Sequence, residues 1–220
     1  MICSMRKKEL YERVIAFFEQ TMPEVDTELH YESPFQLLVA VILSAQCTDR
    51  RVNMVTPQLF AAYPTAEMMA HASVDDVFRC IHSVSYPNAK SRYLVNMAQM
   101  LMKDFGGAVP DNLDDLVRLP GVGRKTANVV QAVVWNKAAF AVDTHIFRVA
   151  HRLGLAGERA TTPYAVEKVL TRYFPDDLIP RAHHWLLLHG RYICQARRPH
   201  CEACGLREIC QFFLRSNKRE

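Results

Sequence analysis

Leu119-Pro120-Gly121-Val122-Gly123-Arg124-Lys125 lies between two stretches in which apolar residues recur at helical spacing, Asp111 to Arg118 and Arg124 to Trp135. Glycines at 121 and 123 permit a sharp turn, so this stretch predicts two helices joined by a hairpin that leaves backbone amides at the start of the second helix. Such amides, reinforced by the helix dipole, bind phosphate without base preference. Gly121, Val122, Gly123 and Arg124 thereby become candidate contacts to a nucleic acid, although a plain helix-turn-helix corner would use the same glycines.

Outward from the hairpin the punctuation is helical throughout, and no run alternates apolar and polar residues long enough for a strand. Leu10, Val14, Phe17 and Phe18 mark a helix over residues 8 to 20 that Pro23 closes. Ser33-Pro34 offers a cap and a first-turn proline for a helix over Phe35 to Ala45 that is apolar nearly all round and belongs in a core. Pro57 is expected to kink or split the pattern from Asp49 to Tyr63. Ser73-Val74-Asp75-Asp76 resembles a capping box, Lys90 to Phe105 runs helical until Gly106-Gly107, and Asp143, Thr162-Pro163 and Pro180 open three more helices. About ten helices joined by short loops are expected.

Half of the 220 residues are hydrophobic, enough for one or two compact cores. The longest aliphatic run, Leu37 to Leu43, is far shorter than a membrane span, and the N-terminus, Met1-Ile2-Cys3-Ser4-Met5-Arg6, leads into no apolar signal core. An intracellular protein is expected. The net charge is +4, and from Arg181 onward eight Arg or Lys stand against three Glu, which predicts a basic C-terminal lobe suited to a polyanion.

Seven cysteines, an odd number, argue against a disulfide framework. Cys3, Cys47 and Cys80 are scattered and receive no role. Cys194, Cys201, Cys204 and Cys210 follow the spacing C-x6-C-x2-C-x5-C, and four thiols so close imply a metal. Zinc and an iron–sulfur cluster both accept four cysteines, and spacing alone does not choose between them.

Leu119 to Val130, together with Val142-Asp143-Thr144-His145-Ile146-Phe147-Arg148-Val149, resembles the helix-hairpin-helix DNA glycosylase superfamily. The resemblance extends to Ser44-Ala45-Gln46-Cys47-Thr48-Asp49, to His184 through Arg191 and to the cysteine cluster, so it covers nearly the whole chain in order. It implies that Lys125 and Asp143 form the active site of a bifunctional glycosylase and abasic-site lyase, and it selects a [4Fe–4S] cluster. It further implies DNA contacts from Gln46, Gly121, Val122, Gly123, Arg124, Thr144, His145 and Arg191. A lysine suits the chemistry, because an amine that attacks C1′ forms a Schiff base that acidifies the neighbouring carbon for β-elimination. The amine must be uncharged to attack, which burial against apolar neighbours or the positive end of a helix would favour. A carboxylate nearby stabilises positive charge on the sugar, and Asp143 can do so while capping the helix that starts at Thr144.

A base inside a duplex is out of reach, so the nucleotide must be rotated out and the gap filled. The resemblance assigns one plug to Gln46 and a second to the loop Ser83 to Lys90. Members of the superfamily commonly carry glycine followed by leucine or phenylalanine there, whereas this chain has Ser85-Tyr86-Pro87, with Tyr86 able to stack between bases or to pack in the core.

The expected architecture is all-α, with residues 27–137 a six-helix domain carrying the hairpin and residues 1–26 plus 138–220 a cluster domain, DNA lying in a cleft between. The expected activity is base excision repair: removal of oxidised or ring-saturated pyrimidines from double-stranded DNA and cleavage at abasic sites, by a monomer in the cytoplasm or at the nucleoid of a prokaryote. Two other readings are a monofunctional adenine-mismatch glycosylase, which typically lacks the lysine and adds a C-terminal domain, and a non-catalytic helix-hairpin-helix DNA-binding module.

Overall fold

The computed structural model describes residues 6–216; Cys3, Lys218, Arg219 and Glu220, on which expectations above partly rest, lie outside the described residues. Among the described residues there are α-helices and short 3-10 turns and no strand. The helices are α1 (Lys7–Thr21), α2 (Pro34–Ser44), α3 (Asp49–Ala62), α4 (Ala66–Ala70), α5 (Val74–Ile81), α6 (Pro87–Phe105), α7 (Leu113–Leu116), α8 (Arg124–Trp135), α9 (Thr144–Leu153), α10 (Pro163–Tyr173), α11 (Ile179–Tyr192) and α12 (Gln211–Ser216). None is long and apolar enough to cross a membrane.

The starts of these helices are set locally. Ser33 Oγ accepts from Gln36 N at 3.2 Å with Pro34 in the first turn, Ser73 Oγ accepts from Asp76 N at 3.0 Å, and Thr162 Oγ1 accepts from Ala165 N at 3.1 Å ahead of Pro163. Each cap satisfies an amide that the helix itself cannot. At the other end of α6, Gly106 takes a left-handed φ of 60°, which lets Gly107 N reach back to Leu101 O at 2.9 Å and stop the helix. Two local expectations change. Pro57 does not split α3, because Val55, Thr56 and Leu59 near it are buried and their packing outweighs one missing amide. The helix expected from Asp111 shrinks to the single turn of α7, whose cap is Asn112.

The chain divides into two compact units. One, Thr27–Trp135, holds α2 to α8. Its core is α2, buried from Phe35 to Leu43, wrapped by Leu59, Met69, Ile81, Leu94 and Leu101. The other unit combines the described residues up to Asp26 with those from Asn136 onward and so contains α1 and α9 to α12. Its core centres on Trp185, which stacks on Phe18 with ring centroids 5.7 Å apart and donates from Nε1 to Met22 O at 2.8 Å. Tyr11, buried in the same core, donates to Leu155 O at 3.0 Å.

Candidate active site and metal centre

In the Thr27–Trp135 unit the hairpin forms as its glycines require. Gly121 has φ +81°, and a Cβ there would lie 2.9 Å from Tyr93 Cβ, so both backbone shape and close packing demand glycine. Gly123 is different: it is exposed, and a Cβ would meet nothing within 4 Å. Val122, named above as a DNA contact, turns its side chain into the core and is buried, so only its backbone can reach a ligand. Arg124 and Lys125 open α8 and are both exposed. Of the two settings named above, burial against apolar neighbours and the positive end of a helix, Lys125 has the second: it is exposed and stands in the first turn of α8. Gln46 lies two residues past the end of α2, exposed, with φ +54°.

In the second unit Asp143 caps α9. Its Oδ1 accepts from His145 N at 2.9 Å and from Ile146 N at 2.8 Å. Thr144 beside it is exposed and His145 half-buried. Arg148, a residue the sequence did not single out, knits this cap to the end of α11. Its guanidinium donates to Cys194 O at 2.9 Å, to Gly190 O at 2.8 Å and to Thr144 O at 3.3 Å, and approaches His145 Nδ1 at 3.2 Å. A guanidinium only donates, so Nδ1 is the acceptor in this contact. Gly190 lets the helices meet, since a Cβ there would sit 2.8 Å from His145 Cβ. Arg191, in the last turn of α11, is half-buried.

Cys194, Cys201, Cys204 and Cys210 line one small cavity with His189, Leu153 and Phe213. The chain between them is held by backbone bonds, Cys194 N to His189 O at 2.7 Å and His200 N to Ile193 O at 2.9 Å, and by two 3-10 turns. Burial, followed by the closeness of the other thiols, pushes the Cys201, Cys204 and Cys210 thiols up. Arg152 Nη1 lies 3.4 Å from Cys194 Sγ, and His189 Nε2 lies 3.6 Å from Cys204 Sγ. From Arg181 onward the basic excess is partly consumed: Arg207 pairs with Glu202 and Glu208, Arg181 with Glu19, and Arg215 with Glu158. Arg197 and Arg198, on the loop between the first two cysteines, are exposed.

Comparison with known proteins gives the family to which a chain with this hairpin, capping aspartate and cysteine cavity belongs. Residues 39–176 match the model of the HhH-GPD superfamily of base excision DNA repair proteins. The chain is 42% identical over 205 residues to endonuclease III of Rickettsia felis, covering 93% of this chain and 95% of that one. It is 41% identical over 197 residues to endonuclease III of Bacillus subtilis, covering 90% of each. The structure of a trapped endonuclease III–DNA covalent intermediate superimposes with a TM-score of 0.90 at 37% identity, covering 97% of this chain and all of that one. A family model spanning most of the chain and full-length relatives above 40% identity leave one conclusion: the chain belongs to the endonuclease III family of the HhH-GPD base excision DNA repair superfamily.

Proposed function

We propose that this base excision repair enzyme removes oxidised or ring-saturated pyrimidines from double-stranded DNA and cuts the strand at the abasic site, with Lys125 as nucleophile and Asp143 as its electrostatic partner. The observation that carries the reading is Lys125 itself, an exposed amine in the first turn of α8 immediately after the hairpin. A relative of the same fold has been captured as a covalent intermediate on DNA, which supports a covalent route here.

In the proposed reaction Nζ of Lys125, uncharged, forms a bond to C1′ as the bond from C1′ to the base breaks, and the base leaves with a proton. Opening of the sugar ring gives the Schiff base. Loss of a C2′ proton then expels the 3′ phosphate, and water releases the lysine. Asp143 would stabilise positive charge growing on the sugar. Amides of the hairpin around Gly121 and Gly123, with Arg124, Thr144, His145 and Arg191, would hold the backbone phosphates. The hairpin unit and the cysteine unit would act as two domains on one duplex. Similarity to bacterial proteins supports a place in the cytoplasm or at the nucleoid.

The family carries a [4Fe–4S] cluster, and we propose that Cys194, Cys201, Cys204 and Cys210 hold it here. The donors suit it: four thiols line one cavity, and four thiolates are the ligand set that such a cluster takes. When bound, the cluster would supply cross-links to a segment with few apolar residues, presenting Arg197 and Arg198 to phosphate.

Borohydride reduction tests the reading. The wild-type protein should be trapped covalently on a duplex with an abasic site, and Lys125→Ala should not. A wild-type protein that neither traps nor cuts would leave the adenine-mismatch or non-catalytic reading standing.

A further inference from the structure

Arg152, half-buried in the last turn of α9, touches the first and the last of the four clustered cysteines. From its side chain, Nη1 donates to Cys194 Sγ at 3.4 Å and to Gln195 O at 2.7 Å, and Nη2 donates to Ala196 O at 2.8 Å. From its backbone, the carbonyl accepts from Cys210 Sγ at 3.2 Å. One turn earlier on the same face of α9, Arg148 donates to Cys194 O at 2.9 Å, so two guanidinium groups bond three consecutive carbonyls. Those oxygens lie beyond α11, which ends at Tyr192, and a carbonyl without a helical amide needs another donor. The Phe212 ring lies over the Arg152 guanidinium, with its centroid 4.6 Å from Cζ, and braces the plane of the fork. Geometry favours arginine here. Its planar donors meet one sulfur and two carbonyls at once, whereas a lysine ammonium carries the same charge as a single point on a flexible stem.

We propose that Arg152 is a positioning residue for the iron–sulfur cluster: its fork fixes Cys194 and the chain leaving it toward Cys201, and its bond to the Cys194 sulfur tunes the potential of the bound cluster. The inference rests on the assignment of the cluster to these four cysteines. It goes beyond that assignment by naming a residue that binds no iron yet governs how firmly iron is held. A hydrogen bond and a positive charge at a coordinating sulfur draw electron density from it and favour the reduced cluster.

The test compares full-length, iron-loaded wild type with Arg152→Gln, Arg152→Lys and a control, Arg215→Gln, which removes an equal charge from an exposed ion pair in the same unit. Iron release to bathophenanthroline, followed by the fading of visible absorbance, should be about tenfold faster in both Arg152 variants than in wild type, and unchanged in Arg215→Gln. Film voltammetry should place the midpoint potential of Arg152→Gln below that of wild type, with Arg152→Lys, which keeps the charge, between them. A residue that only bridged the loop would leave the potential where it was. If Arg152→Gln is isolated without iron, Arg152→Lys decides both points; both isolated without iron, yet as helical as stripped wild type, is the expected loss of hold at its limit. A wild-type protein without iron removes the cluster assignment itself. An iron-loaded wild type whose release rate both Arg152 variants match overturns the hold, and an unmoved potential in Arg152→Gln overturns the bond to sulfur.

Discussion

Oδ1 of Asp143 accepts the backbone amide of Ile146 at 2.8 Å, and the same atom accepts that of His145 at 2.9 Å. The side chain proposed to act on the sugar is thus also the cap of α9, and two substitutions separate these duties. Asparagine caps about as well as aspartate, so Asp143→Asn should keep stability within about 0.5 kcal/mol, whereas Asp143→Ala should lose about 1 kcal/mol. Both remove the charge, and both should slow single-turnover excision by about a hundredfold or more. Urea titration beside excision kinetics reads the two effects. An Asp143→Asn protein that excises at the wild-type rate would leave the residue a cap and nothing else.

Gly121 and Gly123 look alike in the sequence and differ in the structure. At Gly121 alanine meets both a φ of +81° and Tyr93 Cβ at 2.9 Å, and Gly121→Ala should destabilise by about 2 kcal/mol or more. At Gly123 the added methyl has open space, so Gly123→Ala should fold as well as wild type and gain up to about 0.5 kcal/mol from a stiffer unfolded chain. The proposed approach of a phosphate to the hairpin would give that position a reason to be glycine. Gly123→Ala is therefore expected to bind duplex DNA about tenfold more weakly at unchanged or higher stability, by fluorescence anisotropy at fixed salt. Equal affinity would take Gly123 out of the phosphate site.

What the sequence made legible is what depends on neighbours along the chain. Ser33, Ser73, Asp143 and Thr162 each cap an amide within three residues, and the cysteines sit close enough in sequence to meet in one cavity. What it hid is settled at long range. Lys90 reaches carbonyls 47 and 45 residues away and Arg148 one 46 residues away, and no spacing rule connects a cation to a backbone oxygen at that separation. Val122 reads as part of an exposed hairpin until packing turns it inward, and Lys125 stays exposed because its neighbours Val122 and Ala127 both face the core. Pro57 follows the same logic, a local penalty outweighed by burial on either side.

The segment from Cys194 to Cys210 buries few apolar side chains besides Leu206 and Ile209, so it lacks a core of its own. If an iron–sulfur cluster cross-links it, oxidative removal of the iron should abolish broad visible absorbance and expose this segment to hydrogen exchange. Protection within Thr27–Trp135, which has a separate core, should persist. Cys201→Ser should behave like the stripped protein. A colourless preparation containing stoichiometric zinc would replace the cluster with a single ion.

His184 gives the fold a pH dependence whose sign follows from its burial. The ring is 4% exposed, its Nδ1 lies 3.0 Å from Pro180 O, and burial holds it below its ordinary value of 6.5; the Pro180 carbonyl and Asp26 pull upward and Arg191 pulls downward. Above pH 6.5 both the folded and unfolded chains carry the neutral ring, and the full stability is present. As pH falls below that value the unfolded chain takes up a proton that the folded one resists, so stability declines until the folded ring is protonated too. Urea midpoints measured from about pH 7.5 downward should therefore fall more steeply for wild type than for His184→Gln, which has nothing to titrate there. Visible absorbance recorded in the same samples shows whether any metal centre stays intact over the range compared. Parallel slopes for the two proteins would mean that His184 is not the group that couples folding to protons.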